Sequence, residues 1–303
     1  MARTHSTVLP APTGGMLLAK RPTGITMALV VILIAMVLQG LPAMVEAAII
    51  GIDAALNKVQ VDAGGVQARD SVGRVMTLFL FGACILWLWF WLRVKERRGF
   101  ATLGFTAPRR GVKLAAQGVF VGLVMIVASV LIPVLGGQAQ LGWGSPSSSS
   151  WMFIVVMLLG FLVQGSTEEI LTRGYLTQAV ARRWGLVAAV IFQAAFFTLL
   201  HGANPGMGAI PIINLILFAC FASFMSLAQG SLWGVCAMHG IWNWAQGNLF
   251  GVAVSGTSVA DSVFTFSTAP GANELLTGGQ FGIEGSLGTS LVYLVGIALT
   301  WKL

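Results

Sequence analysis

From Leu114 to Ala260, histidines apart, the chain carries only five ionisable acidic or basic side chains: Glu168, Glu169, Arg173, Arg182 and Arg183. Apolar runs of that extent exceed the ~20 residues that cross a hydrocarbon core of about 30 Å. A soluble domain clothes its surface with roughly 25% charged residues. Here 9% are charged, 56% are hydrophobic and the mean hydropathy is +0.86. These numbers exclude a water-soluble fold and predict an integral membrane protein. Lipid offers no partner to backbone N–H and C=O groups, so only helices and closed barrels span it. The runs lack the alternation of barrel strands, and the expected fold is all-α, a polytopic bundle of about eight transmembrane helices.

The eight apolar runs fall at Ile25–Val45, Val75–Leu92, Leu114–Leu135, Trp151–Val180, Leu186–His201, Ala209–Ala228, Leu232–Val252 and Leu287–Trp301. Residues 1–24 read as a disordered cytoplasmic tail. Residues 25–110 read as N-terminal transmembrane helices with a basic cytoplasmic loop, and residues 111–303 as the functional core. Seven of the seventeen basic residues lie between Arg93 and Lys113, and Lys20, Arg21, Arg182, Arg183 and Lys302 fall on the same side. The opposite connections hold Lys58, Arg69 and Arg74, then no Lys or Arg in 136–150, 202–208 or 253–286. By the positive-inside rule both termini are expected in the cytoplasm, in a cell membrane of the bacterial inner-membrane kind. Lys20 and Arg21, the first apolar run and Val45-Glu46-Ala47 have the order of a cleavable signal peptide. That run is long for one, and a retained helix is expected.

Position also decides what the net charge of +7 means. A cluster between two apolar runs meets anionic headgroups, so membrane lipids are the expected partners and nucleic acid is not. Cys84, Cys220 and Cys236 lie in apolar segments without CxxC spacing and read as buried thiols. Trp87, Trp89, Phe90 and Trp91 read as an interfacial belt. Gly118/Gly122 and Gly247/Gly251 have GxxxG spacing, a weak signal in a chain with 38 glycines. Ser145–Ser150 and Ser255–Glu284 read as polar connections.

Ionisable groups inside a membrane are expensive and mark function by default. Glu169 and Arg173 are spaced i,i+4 in the favourable order for an ion pair, which leaves Glu168 without an i+4 cation. His201 ends the fifth run, and His239 and Asn243 share one face of the seventh. Counted from the cytoplasmic ends of their runs, Glu168, His201, His239 and Asn243 lie at depths of about 10–23 Å along the helices. A carboxylate held away from bulk water suits general-base work on water. A nearby imidazole assists it, and an amide with a second imidazole stabilises a developing oxyanion. The sum is hydrolysis of a carbonyl compound, with a peptide bond in a membrane-associated substrate as the natural target.

The three clusters EExxxR (Glu168, Glu169, Arg173), FxxxH (Phe197, His201) and HxxxN (His239, Asn243) occur in that order on separate runs. The pattern resembles the CPBP family of intramembrane proteases, which includes the type II CAAX prenyl endopeptidases and bacteriocin-processing or immunity proteins. It covers about residues 150–250. The resemblance implies about eight spans around a conical cavity open to the cytosol and the membrane, with residues 111–303 as a CPBP-like core. It implies that Glu168 and His201 activate water, that His239 and Asn243 form the oxyanion site, and that Glu169, Arg173 and Phe197 support them. The expected mechanism is glutamate-based and needs no cofactor. In a metal-dependent variant Glu168, Glu169, His201 and His239 would be the ligands, and zinc suits such a set.

Two other classes compete. A proton-coupled transporter also uses intramembrane Glu and His, but no inverted repeat is apparent. A non-catalytic scaffold or immunity protein of the same fold would bind a partner without turnover, and the intact motif set argues against it.

Overall fold

A computed structural model describes residues 13–40, 63–105, 108–259 and 261–301. The chain is mostly helical. Helix α1 is Ile25–Gly40. Helix α2, Ala63–Trp91, continues as a π turn, Leu92–Glu96, which Arg97 ends in the left-handed region at φ 56°. Helix α3 is Pro108–Leu135 and helix α4 Ser148–Glu169, capped by the Ser147 hydroxyl, which accepts from the Ser150 N–H at 3.2 Å. A π segment, Ile170–Leu176, joins α4 to α5, Thr177–Leu200. Helix α6 is Ala209–Gln229 and α7 Trp233–Trp244, followed by a π turn over Ala245–Leu249. The short α8, Glu274–Thr277, and the apolar α9, Leu287–Trp301, complete the set.

Where they are described, the eight apolar runs are helical apart from His201 at the end of the fifth and Leu232 and 250–252 at the ends of the seventh. Among the described residues four helices are long and apolar enough to cross a membrane: Thr77–Glu96, Arg109–Leu135, Ser148–Leu200 and Ala209–Gln229. The figure of about eight spans is not reproduced by that measure. Helices α1 and α9 are shorter apolar helices, and α7 has 12 residues. Ser148–Leu200 is not one straight rod. Gly185 leaves helical geometry at φ 84°, ψ 171°. A continuous helix would separate Arg173 from Phe197 by about 36 Å, yet the Arg173 guanidinium carbon lies 4.4 Å from the Phe197 ring centre. The chain therefore doubles back beside Arg182 and Arg183, both exposed.

Two expectations need correction. Residues 13–24 are not a disordered tail: Thr13–Leu18 form a 3-10 turn, Met16 is buried, and the Lys20 and Arg21 N–H groups donate to the Glu96 carbonyl. The rest of that tail, and Val45-Glu46-Ala47, lie outside the described residues. The segment Ser255–Glu284 is more than a polar connection. Its strand β2, Phe264–Thr268, pairs antiparallel with β1, Ala139–Trp143, from Ala139 opposite Thr268 to Trp143 opposite Phe264. Alternate aromatic residues give β2 one packing face, where Phe264 meets Trp143 edge-on at 5.7 Å.

These contacts define two ends of the bundle. At one end, Arg98 donates to Gln178, Leu232 N–H donates to the Gly104 carbonyl, and exposed Arg93, Lys95, Arg97, Arg109, Arg110 and Lys113 gather nearby. At the other, the β1–β2 ribbon lies with the 202–208 turn, where Asn204 donates to the Ser255 carbonyl at 3.0 Å and Gly256 N–H to that of Phe281 at 2.9 Å.

The GxxxG pair of α3 carries more weight than its spacing suggested. A Cβ on Gly118 would lie 2.0 Å from the Gly234 carbonyl oxygen, and one on Gly122 2.7 Å from that of Met238. Here α3 and α7 touch backbone to backbone. Gly251, by contrast, sits past the helix at φ +69° and belongs to a turn.

Candidate active site

The site begins with a second close crossing, of α4 and α7. A Cβ on Gly165 would meet the Gly240 nitrogen at 2.7 Å, and one on Gly240 would meet the Leu162 Cα at 2.8 Å. Only two glycines allow this approach. One turn beyond Gly165 come Glu168 and Glu169; flanking Gly240 come His239 and Asn243. The crossing therefore sets both carboxylates of α4 against the polar face of α7.

Glu169 is fully buried and accepts two bonds at Oε1, from Arg173 Nη1 at 3.0 Å and from His239 Nδ1 at 2.8 Å. Arg173, 1% exposed, also donates to the Thr172 hydroxyl at 2.9 Å and lies over the Phe197 and Phe218 rings at 4.4 and 5.5 Å. Because a carboxylate oxygen accepts, Nδ1 of His239 carries the hydrogen and its Nε2 faces away. That Nε2 stands 3.8 Å from Glu168 Oε2, too far for a direct hydrogen bond. The Phe218 ring packs edge-on to His239 at 4.8 Å and fixes its plane.

Glu168 is held from the other side. Its Oε1 accepts from Gln164 Nε2 at 2.6 Å, while its Oε2 is buried with no hydrogen-bond partner among the described residues. The Gln164 carbonyl oxygen in turn accepts from Asn243 Nδ2 at 2.9 Å. One amide thus ties the carboxylate of α4 to the amide of α7. His201 closes α5, and its Nδ1 donates to the Phe197 carbonyl at 2.9 Å, with the two rings 4.5 Å apart. Its Nε2 therefore keeps a lone pair.

Glu168, His201, His239 and Asn243 line one cavity of about 510 Å³. The structure brings these four together, with Phe197 also in the wall; Glu169 and Arg173 sit behind it. Glu168 is set against His239 by a short separation, whereas His201 shares the cavity wall and is tethered to its own helix. Of the four candidate metal ligands, His239 and His201 each bond through Nδ1, to Glu169 and to the Phe197 carbonyl, which leaves their Nε2 atoms as the ones that could ligate. Among the described residues no group of three or more His, Cys, Asp or Glu is placed to hold a metal.

Two participants were missed in the sequence. Gln164 stands four residues before Glu168, on the same helix face, and that spacing was its signal. Glu284 also reaches the cavity. Its Oε2 accepts from Ser255 N–H at 2.6 Å, the Ser255 hydroxyl at 3.0 Å and Gln246 Nε2 at 3.1 Å. It lies in a Gly-rich stretch with no local pattern to single it out.

No curated protein and no solved structure matches the chain. One family model does, over the part of the sequence that contains the crossing of α4 and α7, the buried ion pair and both cavity histidines. Residues 150–245, which hold all three motifs, match the type II CAAX prenyl endopeptidase Rce1-like family, the grouping to which the motif order pointed.

Proposed function

We propose that this chain is an intramembrane endopeptidase that hydrolyses a peptide bond of a membrane-associated or lipidated protein. The observation that carries the reading is Glu168 Oε2, buried and without a hydrogen-bond partner among the described residues, facing His239 Nε2 across 3.8 Å inside a cavity. In that gap a water would give a proton to Glu168 as its oxygen attacks the carbonyl carbon, and His201 Nε2 would orient it. The oxyanion would lie against the second hydrogen of Asn243 Nδ2 and, when His239 is an imidazolium, against its Nε2–H, with the Glu169 carboxylate compensating that charge. Glu168 then passes its proton to the leaving amine, and the peptide bond breaks to an acid and an amine.

The test is cleavage of a quenched fluorescent peptide library by the purified full chain in nanodiscs, with and without a chelator. Cleavage that resists chelation is expected. Loss on chelation with recovery on adding zinc would replace the glutamate mechanism with a metal-dependent one, and absence of cleavage of every peptide would remove the protease reading.

Gln164 gives a narrower expectation. A hydrogen bond to a charged group contributes about 1.5–3 kcal/mol, and Gln164 orders the base and the oxyanion donor together. Gln164→Met is expected to lower kcat about tenfold and leave KM largely unchanged. In an Asn243→Ala background the further loss should be much smaller, because one of the two partners is already gone. Equal losses in both backgrounds would make Gln164 a packing residue.

A further inference from the structure

The loop residues of the cavity wall all come from one end of the bundle. Asn204, Ser255, Thr257 and Glu284 belong to the 202–208 turn and the 253–286 connection, stretches without a single Lys or Arg. Thr257 and Ser258 both line the cavity and are exposed to solvent, so they mark its mouth. Among the described residues, none of the segments at the basic end (92–113, 174–185 and 229–234) contributes to the lining. Between the site and that end the packing is closed by Tyr175, Leu176, Leu232 and Val235, each at most 1% exposed.

Helix directions agree. Helix α7 starts at the basic end, and Asn243 is ten residues along it, about 15 Å from that end. His201 lies at the far end of α5, which leaves the basic end at Gly185. The helices α1 and α2 reach the cavity through Met36, Gln39, Thr77 and Leu78, each more than ten residues from the contact of Lys20 and Arg21 with Glu96. The site is thus at mid-depth, and its access runs away from the clustered basic residues of 93–113 and from Arg182 and Arg183, toward the end whose connections hold only Lys58, Arg69 and Arg74.

We infer that the cavity is entered from the extracytoplasmic face, and that its substrate is a polypeptide segment presented there: an exported protein, or the outward end of a membrane-spanning one. The physical basis is the retention of clustered Lys and Arg on the cytoplasmic side. The inference rests on the proposed endopeptidase activity for its substrate and on geometry alone for its sidedness. It departs from the cytosolic opening that the family resemblance implies. A chain of this sequence does not then act on a cytosolic C-terminus, because such a segment meets the closed end.

The experiment has two arms. Single-cysteine variants of the full chain, with the native cysteines replaced by alanine, are treated in intact cells with a membrane-impermeant maleimide. Thr257→Cys and Ala203→Cys, both exposed positions at the mouth end, are expected to label without permeabilisation, and Arg183→Cys only after it. The reverse pattern overturns the inference whatever the enzyme does. In sealed proteoliposomes of known protein orientation, cleavage of an external peptide should track the fraction with Thr257 outward. Cleavage that tracks the fraction with Arg183 outward overturns it as well. If no peptide is cut in either orientation, the endopeptidase reading and the substrate half of the inference fall together, while the labelling still decides which face the cavity meets.

Discussion

Replacing Glu168 by glutamine is expected to reduce kcat by about 10³-fold or more while the protein stays folded. The substitution keeps volume and shape, and the amide can still bond to Gln164 through Oε1. What it removes is the ability to take a proton, and general-base catalysis contributes about 10²–10⁴-fold. His201→Ala, which removes a group that orients water, is expected to cost less, about 10²-fold. His239→Ala falls between them or below Glu168→Gln, since it deletes both an oxyanion contact and a partner of Glu169. Residues that act as a unit do not add, so the pair Glu168→Gln with His239→Ala should be little worse than Glu168→Gln alone. The measurement is steady-state cleavage in nanodiscs, paired with the thermal midpoint of each variant. A Glu168→Gln variant that retains more than about a tenth of the wild-type rate would refute the assignment of Glu168 as the base.

The convergence of Glu168, His239 and Asn243 was legible because each cost of placing a polar group in lipid asks for a partner, and few partners were available. The Glu169–Arg173 pair followed from i,i+4 spacing alone and survives even though the helix changes from α to π geometry at Ile170. The turn between the fourth and fifth runs was legible from Arg182 and Arg183, and Gly185 supplies its geometry. What spacing could not supply was the helix crossing itself. Gly165 and Gly240 are ordinary glycines in a glycine-rich chain until their backbones are seen in contact. Gln164 was missed because an uncharged amide raises no alarm in an apolar helix. The β1–β2 ribbon depends on pairing between segments more than a hundred residues apart, and Glu284 on partners 29 and 38 residues away, which no local pattern encodes.

The family match ends at residue 245, whereas the cavity wall continues beyond it. The motif-bearing helices α4, α5 and α7 bring the polar groups together, whereas Ser255, Thr257 and Glu284 close the wall from beyond the matched stretch. In this chain, chemistry and access are thus built by different parts of the sequence. Loops of this kind vary more readily than the helices that position them.

Behind the cavity the largest stability effect is expected at Arg173. Its guanidinium and the Glu169 carboxylate are 1% and 0% exposed, and they lie 3.0 Å apart. Removing one member of a buried pair strands the other charge in a medium that solvates it poorly, at a cost of about 3–5 kcal/mol. Arg173→Met does that to Glu169 and also strips the cation from the Phe197 and Phe218 rings. Total stabilities run at about 5–15 kcal/mol, so this variant should unfold at a markedly lower temperature in detergent or fail to accumulate. Glu169→Gln leaves Arg173 the two rings and the Thr172 hydroxyl, and its loss should be smaller. The double variant, neutral on both sides, is expected to be more stable than Arg173→Met alone, because no unpaired charge remains buried. It should nevertheless cleave poorly, since His239 then has an amide rather than a carboxylate behind its Nδ1. Recovery of folding without recovery of cleavage separates the two duties of Glu169, holding Arg173 and holding His239. If Arg173→Met is as stable as the wild type, the pair is not the buried anchor described here.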